Sequence, residues 1–354
     1  MTLSRRFYAI AILCAVLLFS ACNTQTNSPG DEPAAPPPTK KLPKVTIGYQ
    51  SMINPWKVGI QSGSIAKATG HEIEWRKFNS GAEVITAMAS GDVHIAVAGS
   101  SPIATAMSRE VDVSLFWILE AIRDNEALVA RNGSGIQSMA DLKGKTIGVP
   151  FASTTHYHLL VALEQNQIDT KDVKILNLQP DAILAAWTQE SIDAAFVWSP
   201  ILNRITPTGT VLLTSGAIAD TGKPTFDGMI VANAFAKENA DFMKQFVKEV
   251  ARLDGDYRDN TAAWNADSAQ VKAIAELTGA DPAEIPTIMG QYHFPDPNEQ
   301  IGEFWLGGGA AQALRDTAAF LKDQKKINTV HEDYGRFIMT DFAASLVDQG
   351  EPTP

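Results

Sequence analysis

Apolar residues recur along this chain in two different periods. From Lys44 to Gln50 (KVTIGYQ) polar and apolar positions alternate, the pattern of a strand whose two faces differ. Short apolar runs at His94–Ala98, Ser114–Leu119, Ala127–Ala130, Thr146–Val149, Val173–Leu178 and Met229–Ala232 predict further strands. Between them, Ser80-Gly81-Ala82-Glu83 has capping-box spacing and opens a helix running through Ser90. Ser153–Gln165 and Ala182–Thr188 predict two more helices. Beyond Ala232 the spacing turns helical and stays so, at Ala234–Leu253, Asp267–Thr278, Pro282–Met289 and Ala310–Gln324.

One unit occurs twice. A helix, a strand and then Ser-Pro end at Ser101-Pro102, and again at Ser199-Pro200. Ser before Pro is the signature of an N-cap and first helical residue, so each strand is expected to run into a helix N-terminus. Such ends attract anions through unpaired N–H groups and the helix dipole. Two of them imply two similar α/β lobes facing one ligand. Asn132-Gly133-Ser134-Gly135 is the strongest internal linker signal, and Met229–Ala232 returns the chain to its first lobe. The expected organisation is a bilobal α/β protein with a two-strand hinge: residues 44–130 and 231–342 in one lobe, 131–230 in the other, and a C-terminal tail at 343–354.

The first residues are expected to be a targeting segment. Arg5 and Arg6 precede an apolar run from Phe7 to Phe19, too short to span a bilayer but suited to a signal peptide covering residues 1–21. Ser20-Ala21-Cys22 resembles a lipobox, with cleavage before Cys22 and lipid on its sulfur; the alternative is an ordinary signal peptide with an incidental cysteine. Residues 22–43, with Pro36-Pro37-Pro38, form a tether unable to bury a core. The other cysteine, Cys14, lies in the removed segment, so no thiol remains for catalysis, a disulfide or a metal. Formal charge is -11, which disfavours nucleic acid as a partner.

Candidate ligand-binding residues gather at strand ends. Ser153, Thr154, Thr155 and His156 follow the strand Thr146–Val149, either as helix caps or as donors to an anion. Ser100 and Ser101 form the matching end in the first lobe. A strong acid such as a sulfonate stays anionic at physiological pH and needs no Lys or Arg beyond such donors. Glu126 and Asp227 flank the predicted hinge, where two carboxylates opposite an anion site would suit an ammonium-bearing ligand. Tyr49 and Trp198, at strand ends, add aromatic walls with cation–π capacity or else belong to the core. An enzyme is not expected: Ser153 and His156 lack a Gly-x-Ser-x-Gly context, no phosphate loop occurs, and no histidine spacing suggests a metal. No cofactor is expected either.

The order of several motifs carries a resemblance. Trp75-Arg76-Lys77-Phe78, Gly99-Ser100-Ser101-Pro102, Glu126-Ala127-Leu128-Val129, Ser153-Thr154-Thr155-His156-Tyr157, Asn177-Leu178-Gln179-Pro180 and Pro224-Thr225-Phe226-Asp227 stand in sequence between Val45 and Phe342. Together they resemble the taurine-binding components of bacterial ABC importers, within the nitrate/sulfonate/taurine periplasmic-binding family. The resemblance implies a type II periplasmic-binding-protein fold that closes on a small sulfonate and delivers it to a permease with a separate ATPase subunit. By motif, Ser100, Ser101, Ser153, Thr154, Thr155 and His156 would line the sulfonate end, and Glu126 and Asp227 would face the ammonium of taurine. The chain departs from the pattern at Met229, where taurine binders often carry Trp, and at Ser51–Trp56, where Trp56 is placed to reshape the pocket. Alkanesulfonate or nitrate binding, a pyrimidine-precursor synthase on a related fold and a ligand-sensing receptor are the alternatives. The expected location is the periplasm or the outer face of the cytoplasmic membrane, lipid-anchored at Cys22.

Overall fold

Residues 44–347 are described by a computed structural model. The expected signal peptide, the Cys22 anchor, the tether and the last part of the tail lie outside the described residues. Ten strands within it sort into two sheets: β1 Lys44–Tyr49, β2 Glu72–Lys77, β3 Ile95–Gly99, β4 Val113–Ile122, β5 Glu126–Arg131, β6 Thr146–Val149, β7 Lys174–Asn177, β8 Ala194–Trp198, β9 Gly209–Thr214 and β10 Thr225–Ala232. The orders are β2-β1-β3-β10-β4 and β7-β6-β8-β5-β9. Each sheet begins as three parallel strands, and a strand arriving from the other sheet then enters antiparallel at the fourth position: β10 beside β3 and β4, β5 beside β8 and β9. β3 and β8 are buried along their whole length, which explains their near-continuous apolar sequences. No helix among the described residues is long and apolar enough to cross a membrane.

The principal helices are α1 Gly81–Ala89, α2 Ser100–Ser108, α3 Thr154–Gln165, α4 Pro180–Thr188, α5 Ser215–Ala219, α6 Ala240–Asp259, α7 Ala269–Thr278 and α8 Gly309–Asp323. α6 and α8 pack buried residues, Phe246, Val250, Leu314 and Ala318 among them, into the main core beside the first sheet.

Three expectations need correction. The chain changes sheets at residues 123–125 and again between Thr214 and Thr225, not at 130/131 and 230/231. An apolar run buried on both faces carries no sign of which sheet it joins. β2 and β9, absent from the predicted elements, are edge strands with polar, partly exposed positions, so neither shows a clean apolar run. The expected tail also begins too early, since Asp341–Ala344 is helical and Ala343 is fully buried.

The Ser-Pro reading fails locally at both copies. α2 starts at Ser100 with Gly99 as its N-cap, so Ser101 and Pro102 lie inside the first turn. Proline is tolerated there because the first four N–H groups of a helix have no intrahelical partner. In the second copy Pro200 itself takes the cap position of a five-residue helix, and Ser199 Oγ donates to Asn203 Oδ1 at 2.6 Å.

The turn Pro55–Lys57 is fully buried against α6. Its Trp56 N–H donates to Asp254 Oδ1 at 3.1 Å, and the Trp56 ring lies 6.0 Å from that of Trp75. Trp56 and Met229 are both core residues and line no part of the interlobe cleft, contrary to the expectation for Trp56. Burial pushes the Asp254 carboxyl from 3.8 up to about 7. The folded state therefore holds a proton that the unfolded chain has released across that interval, and stability falls as pH rises through it. Asp254→Asn keeps the acceptor for Trp56 and removes this dependence. The melting temperatures of the variant at about pH 5 and about pH 8 should lie closer together than those of the wild type.

Candidate functional site

The two exchanged strands bring one carboxyl each to the crossing between sheets. Glu126 is the first residue of β5 and stands opposite Trp198 at the end of β8. Asp227 is the third residue of β10, flanked by Gly99 of β3 and Glu120 of β4. Gly99 permits the approach of the two lobes: a Cβ there would lie 2.7 Å from Thr154 Cγ2 and 3.3 Å from Asp227 Oδ1. The resulting cleft is bordered on one side by Gln50, Met52, Gly81, Gly99, Pro102 and Asp227. On the other stand Asn125, Glu126, Ser153, Thr154 and Trp198. Its free volume is about 20 Å³, little more than one water-sized sphere requires, so an organic ligand enters only with movement of the lobes or side chains. A larger interlobe space of about 220 Å³ borders Ser51, Lys77, Asn79, Asp181, Pro200 and Arg204.

The carboxyl end of the cleft is heavily desolvated. Burial and the Asp227 charge push Glu126 up to about 8, while Thr154 and Ser215 hydrogen bonds favour its ionised form. Burial raises Asp227 to about 6, opposed by Glu120 and Lys57. Burial and the adjacent Asp227 raise Glu120 well above the carboxylate range. Lys57 is fully buried, and desolvation lowers its ammonium to about 7 although Glu120 and Asp227 oppose the shift. It donates to Met52 O and, at 3.3 Å, to Asn54 Oδ1; Asn54 Nδ2 donates to Glu120 Oε2 at 2.9 Å. A side-chain hydrogen bond between Glu120 and Asp227 favours the proton on Glu120 and the charge on Asp227.

The hydroxyl end divides into committed and uncommitted groups. Ser153 is the N-cap of α3: its Oγ accepts from His156 N–H at 3.1 Å and donates to Pro150 O at 2.6 Å. Its single hydrogen being used, the 2.7 Å contact with Thr155 Oγ1 is donated by Thr155. Thr154 Oγ1 lies 2.5 Å from Glu126 Oε1. Ser100 Oγ accepts from Phe226 N–H at 3.4 Å. By contrast Ser80 Oγ, Ser101 Oγ and Trp198 Nε1 are buried without a partner among the described residues. Ser80 and Ser101 adjoin Gly81 and Pro102 at the starts of α1 and α2, neither of which has a side-chain cap. Glu83 accepts from Asn79 N–H at 3.0 Å, so the expected capping box leaves the Ser80 hydroxyl unused.

Two predicted ligand residues turn away. His156 stacks on Phe151 at 4.5 Å, its Nδ1 accepts from Ala152 N–H at 3.3 Å, and burial lowers it to about 4, leaving a neutral ring outside the cleft lining. Tyr49 packs in the hydrophobic core, while Gln50 and Met52 beyond it line the cleft. Ser153 and Thr155 satisfy the α3 terminus instead of presenting free donors. Sequence reasoning missed Ser80 as a free hydroxyl and the set Asn54, Lys57, Glu120, His158 and Ser215. Glu120 alone carried a signal, a carboxyl inside the otherwise apolar run VSLFWILEAI.

Comparison with known proteins adds four findings. Residues 67–252 match the family model described as NMT1/THI5 like. The chain is 38% identical over 298 residues to the taurine-binding periplasmic protein of Escherichia coli K12, covering 84% of this chain and 92% of that protein. It is 29% identical to a putative aliphatic sulfonates-binding protein of Bacillus subtilis 168, covering 68% and 70% of the two chains. In fold it is similar to the alkanesulfonate-binding protein SsuA of Xanthomonas axonopodis pv. citri bound to MOPS, with a TM-score of 0.72 at 20% identity, covering 85% of this chain and 99% of that one.

Gly99→Ala tests the approach of the lobes. The backbone at Gly99 suits any residue, so the lobes should fold unchanged while the added methyl meets Thr154 and Asp227. A larger radius of gyration by small-angle X-ray scattering, at an unchanged melting temperature, is expected; an unchanged radius removes Gly99 from the closing contact.

Proposed function

The chain belongs to the NMT1/THI5-like family, and on that premise we propose that it is the substrate-binding component of an ABC importer, which takes taurine into the interlobe cleft and passes it to a membrane permease served by a separate ATPase subunit. In this reading it binds and releases its ligand without chemistry, in keeping with relatives named for taurine and sulfonate binding. The observation that carries the reading is the pair Glu126 and Asp227, brought from opposite sheets to one cleft that also has the unpartnered donors of Ser101 and Trp198 close by. A zwitterion meets both needs at once. Its sulfonate accepts neutral hydrogen bonds and keeps its charge at any physiological pH, and its ammonium offsets the cost of ionising buried carboxyls. The protein works in the periplasm, and we propose that a lipid on Cys22 holds it at the membrane through the segment ending at Pro43.

Calorimetry tests the ligand. Taurine should bind the purified protein, and absence of binding at millimolar concentration sinks the assignment. Asp227→Asn should weaken taurine by about 1.5–3 kcal/mol, the range for a hydrogen bond to a charged group, while leaving alkanesulfonates that lack an amine unaffected. If such an alkanesulfonate binds more tightly than taurine and Asp227→Asn is harmless, the alkanesulfonate reading replaces this one. Cys22→Ser should abolish lipid labelling and release the protein from washed membranes; retained labelling removes Cys22 as the anchor.

A further inference from the structure

Behind Glu126 stands a row of buried side chains that do not line the cleft. Ser215 Oγ lies 3.0 Å from Glu126 Oε2, His158 Nδ1 lies 2.7 Å from Ser215 Oγ, and His158 Nε2 lies 2.9 Å from the carbonyl oxygen of Lys223. Ser215 and His158 are both fully buried. A carbonyl only accepts, so His158 Nε2 carries a hydrogen. The Ser215 hydroxyl has a single hydrogen and two neighbours. If that hydrogen goes to Nδ1 of a neutral imidazole, Glu126 Oε2 brings its own proton to Ser215. If it goes to Glu126, His158 Nδ1 brings the proton and the ring is an imidazolium. A carboxylate beside a neutral imidazole would set two acceptors on one hydrogen and leave one of them buried and unpaired.

We propose that Glu126 and His158 hold one proton in common through Ser215, making His158 a positioning residue that sets the charge of the cleft carboxyl. This rests on the reading of the ligand as an ammonium-bearing molecule. Without ligand the proton stays on Glu126: burial drives the carboxyl up to about 8 and lowers the imidazole to about 4. When an ammonium arrives, the Glu126 Oε2–H bond breaks and Ser215 Oγ takes that proton. The original Ser215 hydrogen passes to His158 Nδ1. Glu126 is then a carboxylate facing the ligand, and the imidazolium charge lies behind it, donating to Lys223 O. No proton enters the solvent.

Other titratable and charged groups surround this row. Asp227, Glu120 and Lys57 act on Glu126 or on one another from the first lobe, and Tyr292 feels all three carboxyls. Beside α5 stand Asp124, against Gly216, and the Arg123–Asp220 pair at 2.9 Å. Tyr157 lies 5.3 Å from the His158 ring.

Infrared and ¹⁵N NMR spectra of the full chain test the proposal. Ligand-free protein near pH 7 should show His158 as the neutral Nε2–H tautomer and a buried carboxylic-acid band that Glu126→Gln removes. A carboxylate at Glu126 beside a neutral His158 overturns the shared proton, whether or not taurine binds. With taurine, the acid band should vanish as His158 becomes an imidazolium, and calorimetry in buffers of different ionisation enthalpy should give close to zero protons released. In Ser215→Ala, with the row cut, about one proton per taurine should reach the buffer. Proton release by the wild type with His158 still neutral overturns the relay. Failure of taurine to bind sinks the assignment of the ligand instead, and the ligand-free spectra still decide the proton.

Discussion

Three carboxyls withdrawn from water at one point govern much of this molecule. Glu126 is the first residue and Asp227 the third of the strands that exchange between sheets, and Glu120 lies across from Asp227 in β4. The sheet order makes this unavoidable, because β10 enters between β3 and β4 and brings Asp227 between Gly99 and Glu120. Ionising all three in such a place is costly, and protons, amides and one buried ammonium meet that cost. Asn54 and Lys57 supply the amide and the ammonium from a single turn, and Asp254 on α6 holds that turn through the Trp56 N–H. A helix more than a hundred residues away in sequence thus helps set the charge of the cleft.

The hydroxyls beside these carboxyls follow a different economy. Ser153 and Thr155 spend their hydroxyls on the start of α3, and only Thr154 reaches across to a carboxyl. The uncommitted donors sit where α1 and α2 begin without side-chain caps, at Ser80 and Ser101. Helix starts of this kind favour an anion, and a sulfonate that never protonates suits neutral donors. The site thus joins neutral hydroxyl donors to a carboxyl whose charge is adjustable.

Reading residues in order found the lobes better than their boundary. The apolar runs of β3, β6 and β8 announced strands of two α/β lobes because strands buried on both faces show their burial in sequence. Edge strands β2 and β9 alternate weakly and went unseen. The repeated Ser-Pro pointed to the correct strand ends, yet neither serine caps a helix, since Gly99 and Pro200 take those places. Glu126 and Asp227 were legible as acids beside crossing strands, and their company was not: Lys57, Asn54, Glu120, His158 and Ser215 come from distant segments.

The sequence by itself determined the α/β alternation, the internal duplication and the candidate acids, because each is written in local spacing or in residue type. Only the tertiary structure decided which hydroxyls remain free, which histidine is linked to a carboxyl through a serine and how many protons that carboxyl holds. Those depend on which donor stands within 3 Å of which acceptor once water is excluded, a condition set by strands exchanged between two sheets and invisible along the chain. The twin strand ends locate the cleft; the packing behind Glu126 sets its charge.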